Sequence, residues 1–279
     1  MPELERYVLA LLAKLDATLK QAVEDFDFNT YTRALVDFCN EDLSAFYFDI
    51  RKDSLYCDAV DDPKRMACRT LFDTLFHALV RYAAPVLVFT AEEVWGTRFP
   101  EGGSVHLLEW PVLPADTGSV VATTLSRHPG AGRGPTGLAA TPQGQLDPGL
   151  RRDDELVGKW GSLRNYRSDV TEAIEPLRRQ KLIGSGLGAE VEIDHAPSAR
   201  LDYFQDVDLA ELFISGEVRI VDDVHAGYIP GRSSEARIVV KPTTHHKCGR
   251  CWRHLPEVTE DGALCSRCDQ VVAGMDAAA

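Results

Sequence analysis

Leu4-Glu-Arg-Tyr-Val-Leu-Ala-Leu-Leu-Ala-Lys-Leu-Asp-Ala-Thr-Leu19 is the stretch that decides the fold. Its apolar residues Leu4, Tyr7, Val8, Leu11, Leu12, Leu15 and Leu19 follow the period of one buried helical face. Pro2 and Glu3 ahead of it suit a helix start, because the first turn has no partner for the amide hydrogen that proline lacks. The period continues down the chain. A second helix is predicted after Asn29, with Tyr31, Leu35, Phe38 and Phe46 inward. A third begins near Pro63, with Ala67, Leu71, Leu75, Ala78, Leu79 and Tyr82 on one stripe. A short fourth is signalled by Thr90 and Glu93, spaced as in the S/T-x-x-E capping box. Long helices joined by short links predict a mainly α chain that opens with an antiparallel bundle over residues 1–110.

Residues 111–152 break this pattern. They are rich in Pro, Gly, Thr and Arg, have no apolar period, and read as a linker. Within it, His128–Pro135 and Leu146–Arg152 can be encoded on opposite strands of one inverted DNA repeat, so a repeat element inserted in frame is expected there. From Asp153 a long helix is predicted, with Leu156, Trp160, Leu163, Arg167, Val170, Ile174 and Leu177 on one stripe and Pro176 kinking or ending it. Gly184, Gly186 and Gly188 then punctuate a turn into a strand near Val191 and Ile193. Further strand-like runs are Val218–Val221 and Arg237–Val240, and Leu209–Ile214 reads as a short helix. Residues 153–240 are thus a long helix leading into a small α/β unit, followed by a metal-binding segment at 241–273 and a tail at 274–279.

The chain has seven cysteines, an odd number, and four of them form two tight pairs, which points to metal binding in a reducing compartment rather than to disulfides. The pairs are Cys248-x-x-Cys251 and Cys265-x-x-Cys268, thirteen residues apart. Two residues between cysteines let both thiolates reach one ion from a tight knuckle, and two knuckles complete a closed tetrahedral site. One structural Zn²⁺ is therefore predicted. Four thiolates around it leave a net charge of −2, which Lys247, Arg250, Arg253 and Arg267 can offset. Cys39 and Cys68 fall in predicted helices and read as inert thiols.

A net charge of −13 argues against a protein that coats nucleic acid through a general basic field, though not against binding through a local patch. One segment departs from the trend. Lys241–Pro256 has no acidic residue but holds Lys241, Lys247, Arg250, Arg253 and three histidines, a pattern that fits local phosphate contact. Trp252, beside a ligand, is expected to pack over the metal knuckle, the alternative being a stacking surface for an RNA base. No apolar run approaches the ~18 residues of a membrane span, and no signal peptide is evident, so a cytoplasmic location is expected.

The stretch Phe28-Asn-Thr-Tyr-Thr-Arg-Ala-Leu-Val-Asp-Phe-Cys-Asn-Glu-Asp-Leu-Ser-Ala-Phe-Tyr-Phe-Asp-Ile-Arg-Lys-Asp-Ser-Leu-Tyr56 resembles the anticodon-binding helical domain of bacterial-type isoleucyl-tRNA synthetases. Ala84-Pro-Val-Leu-Val-Phe-Thr-Ala-Glu-Glu-Val-Trp95 does too, and Val170–Gly184, Leu212–Val218 and Lys247–Trp252 are similar to the C-terminal part of the same family. The likeness spans nearly the whole chain outside 111–152. One departure is Gly186-Leu-Gly-Ala189, where the family usually shows Ser-Leu-Glu-Ala. The resemblance implies tRNA(Ile) as partner, a zinc finger at the end, and ATP-dependent charging only in the full enzyme. The ATP-binding His-x-Gly-His and Lys-Met-Ser-Lys-Ser type motifs do not occur in this sequence, nor does the editing domain. This portion is expected to hold the anticodon stem-loop without catalysing by itself, as the product of a truncated or a split gene, the second with a separately encoded catalytic portion as its counterpart. Candidate RNA contacts are Lys247, Arg250, Trp252 and Arg253, with Arg164 and Arg167 on the long helix.

Two rival readings differ in class. Formamidopyrimidine-type DNA glycosylases also start Met-Pro-Glu-Leu and end in a four-cysteine finger. There Pro2 would be a nucleophile assisted by Glu3, forming a Schiff base with an opened sugar. That family needs a β-sandwich where Leu4–Leu19 reads as a helix. The other rival is a free-standing tRNA-binding module with no part in charging.

Overall fold

The computed structural model describes residues 1–113, 148–194, 201–221 and 227–278. Helix α1 (Glu3–Glu24) starts directly after Pro2 and buries Leu4, Tyr7, Val8, Leu12, Leu15 and Leu19, with Leu11 packed at the edge of the same core. A helix, not a sandwich, therefore follows Pro2. The Glu3 carboxylate accepts from the Trp160 indole at 2.9 Å and pairs with Lys159 at 2.8 Å, which occupies the group a glycosylase would use.

Helix α2 (Phe28–Asp37) begins one residue ahead of Asn29, because the Asp27 carboxylate caps it by accepting from the Thr30 amide at 3.0 Å. It runs without a break through a π-helical segment, Phe38–Phe48, into α3 (Asp49–Cys57). Phe38, Leu43, Phe46 and Tyr47 are buried along that segment. Helix α4 (Pro63–Ala83) is capped by Asp62, with Pro63 in its first turn. Helix α5 (Val88–Arg98) corrects the sequence reading. It starts at Val88 after a tight turn in which the Leu87 amide donates to the Ala83 carbonyl at 2.7 Å. Thr90 already lies within the helix, so Thr90 and Glu93 form no capping box; the preceding turn sets the helix direction.

Helix α6 (Pro148–Arg179) is longer at its start than expected, and it continues past Pro176 to Arg179 rather than ending there. Trp160, Leu163, Tyr166, Val170 and Ile174 are buried. Trp160 stacks on Tyr7 of α1 with ring centroids 5.6 Å apart, and Phe46 meets both rings edge-on. The other side of α6 carries a small sheet with strand order β2-β1-β4-β3. Its strands are β1 (Ala189–Asp194), β2 (Glu217–Val221), β3 (Ile229–Pro230) and β4 (Arg237–Pro242). β1 runs parallel to β2, joined through helix α7 (Leu209–Phe213), and antiparallel to β4. Val191, Ile193 and Ile238 are buried in the core that also contains the bundle side chains, so one apolar core runs from α1 to the sheet.

Two polar devices fasten the sheet to the helices. Asp169 on α6, 4% exposed, accepts from the amides of Arg232, Ser233 and Ser234 and from the Ser234 hydroxyl, at 2.7–3.1 Å. Burial opposes ionisation of this carboxyl, but those donors outweigh it and hold its pKa below the ordinary value. Deeper, Arg51 of α3 grips Glu5 of α1 with two nitrogens, at 2.7 and 3.0 Å, and donates to Glu211 of α7 at 2.8 Å. Helix α8 (Ser266–Ala278) ends the described chain. The inserted repeat element expected within 111–152 falls, apart from a few flanking residues, outside the described residues. Among the described residues no helix is long and apolar enough to cross a membrane.

Candidate metal centre and nucleic-acid interface

The segment after β4 folds back on itself. Lys247 pairs with His254 in an antiparallel bridge, and the Cys248 amide donates to the Arg253 carbonyl at 2.9 Å. The Trp252 amide returns to the Cys248 carbonyl at 3.1 Å, closing the first knuckle. Trp252 closes it with a left-handed backbone, φ 64°, a conformation uncommon for a residue with a Cβ. The second knuckle opens α8, where the Asp269 amide donates to the Cys265 carbonyl at 2.9 Å. The two meet at Gly249, whose amide donates to the Ala263 carbonyl at 3.1 Å. A Cβ at Gly249 would run into the Gly262 carbonyl oxygen, and Gly262 itself holds φ 95°. Gly249→Ala should therefore weaken metal affinity by at least about tenfold through this backbone clash, measured by competition with a chromophoric chelator.

Cys248, Cys251, Cys265 and Cys268 are all buried, and their sulfurs lie within 4.8 Å of one another, so the cluster could hold a metal ion. The Cys251 and Cys265 sulfurs are 3.8 Å apart. Burial works against the Cys248 thiolate, but amide donors from Arg250, Cys251 and Cys265 outweigh it and bring the thiol down to about 6. Burial pushes Cys251, Cys265 and Cys268 upward. Four thiolates packed this closely need a cation to ionise together, and the donor set supplies what a thiophilic ion takes.

The four-cysteine segment rests on the end of α3. Arg250 donates to the carbonyls of Cys57 at 2.5 Å and Tyr56 at 3.2 Å, and its guanidinium reaches the Cys268 sulfur at 3.7 Å. Arg267 binds Asp53 with both terminal nitrogens, at 2.7 and 3.0 Å, and Asp58 at 3.0 Å. Cys57 is buried in the same apolar cluster as the four metal-site cysteines, and burial, with Asp53 adding, pushes its thiol up to about 12. Between α3 and the first knuckle lies a groove of about 510 Å³, lined among others by Lys52, Tyr56, Ile214, Trp252 and Arg253.

The candidate RNA contacts separate into two groups. Trp252 does not pack over the knuckle as expected; its ring is 61% exposed on the groove, with the Lys247 ammonium 5.0 Å from its centroid. The left-handed backbone at Trp252 turns the side chain outward. Arg253 is half-buried and makes no side-chain ion pair among the described residues. Arg250, by contrast, faces α3. Arg164 and Arg167 are also spent internally. Arg164 pairs with Asp42, donates to the Tyr7 hydroxyl at 3.3 Å and covers the Phe46 ring at 4.7 Å. Arg167 donates to the Leu212 carbonyl and to Asp49 at 2.5 Å. The structure thus gathers Lys247, Trp252 and Arg253 on one face and leaves Arg164 and Arg167 some way along α6, tying it to the π segment, α3 and α7. Sequence reasoning missed Asp53, Tyr56 and Asp58, which meet the metal segment across 194–214 residues of sequence, and Lys52, which lines the same groove. Lys52, Asp53 and Tyr56 lie on α3 and Asp58 directly follows it, but a helical period says nothing of what docks there.

The family model for the anticodon-binding domain of tRNA ligase matches residues 5–193. Isoleucine–tRNA ligase of Zymomonas mobilis is 46% identical over 277 residues, covering 98% of this chain and 25% of the relative. The same ligase of Gluconobacter oxydans is 38% identical over 275 residues, covering 98% of this chain and 24% of the relative. That of Agrobacterium fabrum is 36% identical, with 94% and 24% covered. The chain spans about a quarter of the length of these relatives.

Proposed function

The chain belongs to the family of the anticodon-binding domain of tRNA ligases, and on that premise we propose that it is the tRNA(Ile)-holding, C-terminal portion of an isoleucine–tRNA ligase. The observation that carries the reading is the joint one. A helical bundle of this family is followed by a four-thiol cluster whose exposed face presents Lys247, Trp252 and Arg253 beside α3. The ion we assign to Cys248, Cys251, Cys265 and Cys268 is a single structural Zn²⁺. A tetrahedron with Zn–S bonds of about 2.3 Å has sulfur–sulfur edges of about 3.8 Å, and the Cys251–Cys265 separation is 3.8 Å. With four protein ligands the ion keeps no position for water, so it staples the fold and does no chemistry on substrate.

The division of labour follows from charge and surface. The anticodon stem-loop offers phosphates and splayed bases. Lys247 and Arg253 supply charge to the first, and the Trp252 face supplies stacking to the second. Arg250, Arg164 and Arg167 contribute by holding this surface in place. Catalysis of charging, with its ATP, belongs to the parts of such ligases that this chain does not span, whether on the same or a separately encoded polypeptide. The proposed organisation is a helical domain at 1–110, a linker from 111 up to the start of α6 at Pro148, then α6 with the α/β unit to 240 and the zinc segment at 241–273, working in the cytoplasm.

The double substitution Lys247→Gln, Arg253→Gln tests it. Binding of tRNA(Ile) should weaken, and the slope of log K against log salt should shrink by roughly 0.7–0.9 for each phosphate no longer neutralised. Unchanged affinity and slope would remove these residues from the interface.

A further inference from the structure

Arg250 and Arg267 are sequence neighbours of the metal ligands, yet both, only partly exposed, reach across to the end of α3. The last carbonyls of a helix have no partner inside it. At the end of α3 those of Tyr56 and Cys57 receive the Arg250 guanidinium, a cation where the helix dipole favours one. The same guanidinium lies 3.7 Å from the Cys268 sulfur. Arg267 sits between the ligands Cys265 and Cys268, in the first turn of α8, and clasps Asp53 in a two-bond fork while also reaching Asp58. Asp58 and Cys57 are buried beneath the contact, at 8% and 6% exposure.

We infer that Arg250 and Arg267 are positioning residues: they lock the metal-bearing segment onto the end of α3, and in doing so set the distance between the two walls of the RNA-facing groove. One wall is α3, through Lys52, Asp53 and Tyr56; the other is Trp252 and Arg253 on the first knuckle. Each arginine belongs to the metal segment's own frame and reaches across to α3. Metal loading and groove geometry are therefore linked. Collapse of the four thiolates around an ion fixes the backbone that carries both guanidinium groups, and those groups fix α3. The consequence for RNA rests on the tRNA-binding reading above; the docking itself does not.

Hydrogen exchange on the whole zinc-loaded chain, read in the peptide covering residues 52–58, tests the lock directly. In Arg267→Gln, zinc stoichiometry should stay at the parental level by thiol-indicator titration. Exchange at 52–58 should nevertheless rise by about tenfold or more as the last turn of α3 is released from its clasp. Asp53→Asn, which lies outside the metal segment, should give the same rise, and the double variant should be no worse than either single. Binding of tRNA(Ile) should weaken in all three without the fall in salt slope expected for Lys247→Gln, Arg253→Gln. Unchanged exchange at 52–58 in Asp53→Asn, or additive effects in the double variant, would overturn the inference. If Arg267→Gln fails to retain zinc, Asp53→Asn alone decides. If the parent binds no tRNA at all, the tRNA reading fails while the exchange result still decides the docking.

Discussion

Arg51→Met is expected to lower the stability of the folded chain by about 3–5 kcal/mol, the cost of leaving a buried charge without its partner. Glu5 is fully buried, and apart from Arg51 its carboxylate has only the Tyr47 hydroxyl, at 3.1 Å, among the described residues. Glu211 would keep Lys64, at 2.8 Å, and Ser54, at 3.3 Å. Removing the guanidinium therefore strands Glu5 in the apolar core between α1 and α3. Its carboxylate is then left without a charged partner, away from water. The double variant Arg51→Met, Glu5→Leu should recover most of the stability, because an apolar pair of similar volume replaces both charges at once. Urea unfolding followed by circular dichroism separates the two. A double variant as unstable as the single would mean that the network is held by something other than charge pairing. The effect matters for function because Arg51 joins three helices: α1 through Glu5, α3 on which it sits, and α7 through Glu211. Helix α7 in turn lines the groove beside α3 with Ala210 and Glu211, and Ile214 follows at its end.

The second large effect belongs to the metal site. Cys265→Ser, or chelation, should unfold the segment from about Lys247 onward while most of the helical signal persists. Structural zinc in small fingers carries an apparent binding free energy of about 10–16 kcal/mol, and a segment this short cannot replace that with core. Its own apolar cluster beyond the cysteines is little more than Val258, with Leu255 and Ala263 packed against it. The bundle has a separate and much larger core, which does not use the metal. Hydrogen exchange with and without chelator should show protection falling first over residues 247–270. An exchange pattern there that is indifferent to chelator would show that no metal holds the fold.

Much of this molecule is legible in its sequence, and the reasons are physical. The spacing of apolar residues in Leu4–Leu19 predicts the buried face because helical period and burial are the same constraint. Cys248–Cys268 announces its cluster because ligand spacing is set by local knuckle geometry. The start of α5 departs from the sequence reading because a tight turn at Ala83–Leu87, not the Thr90 side chain, fixes where the helix begins. Arg164, Arg167 and Arg250 depart from it for a related reason. Basic residues look alike in sequence, and only tertiary structure shows that Asp42, Asp49 and the α3 carbonyls engage them. Trp252 presents the reverse case. A left-handed backbone at a tryptophan has no sequence signature, yet it is what turns the ring to face the groove.

The most direct measurement is equilibrium binding of tRNA(Ile) to the whole chain, set against a tRNA of unrelated anticodon, with zinc present and after chelation. With zinc, tRNA(Ile) should bind more tightly than the unrelated tRNA, and chelation should erase the preference. Equal affinity for the two tRNAs, or a preference that survives removal of the metal, would contradict a zinc-stapled surface that holds tRNA(Ile).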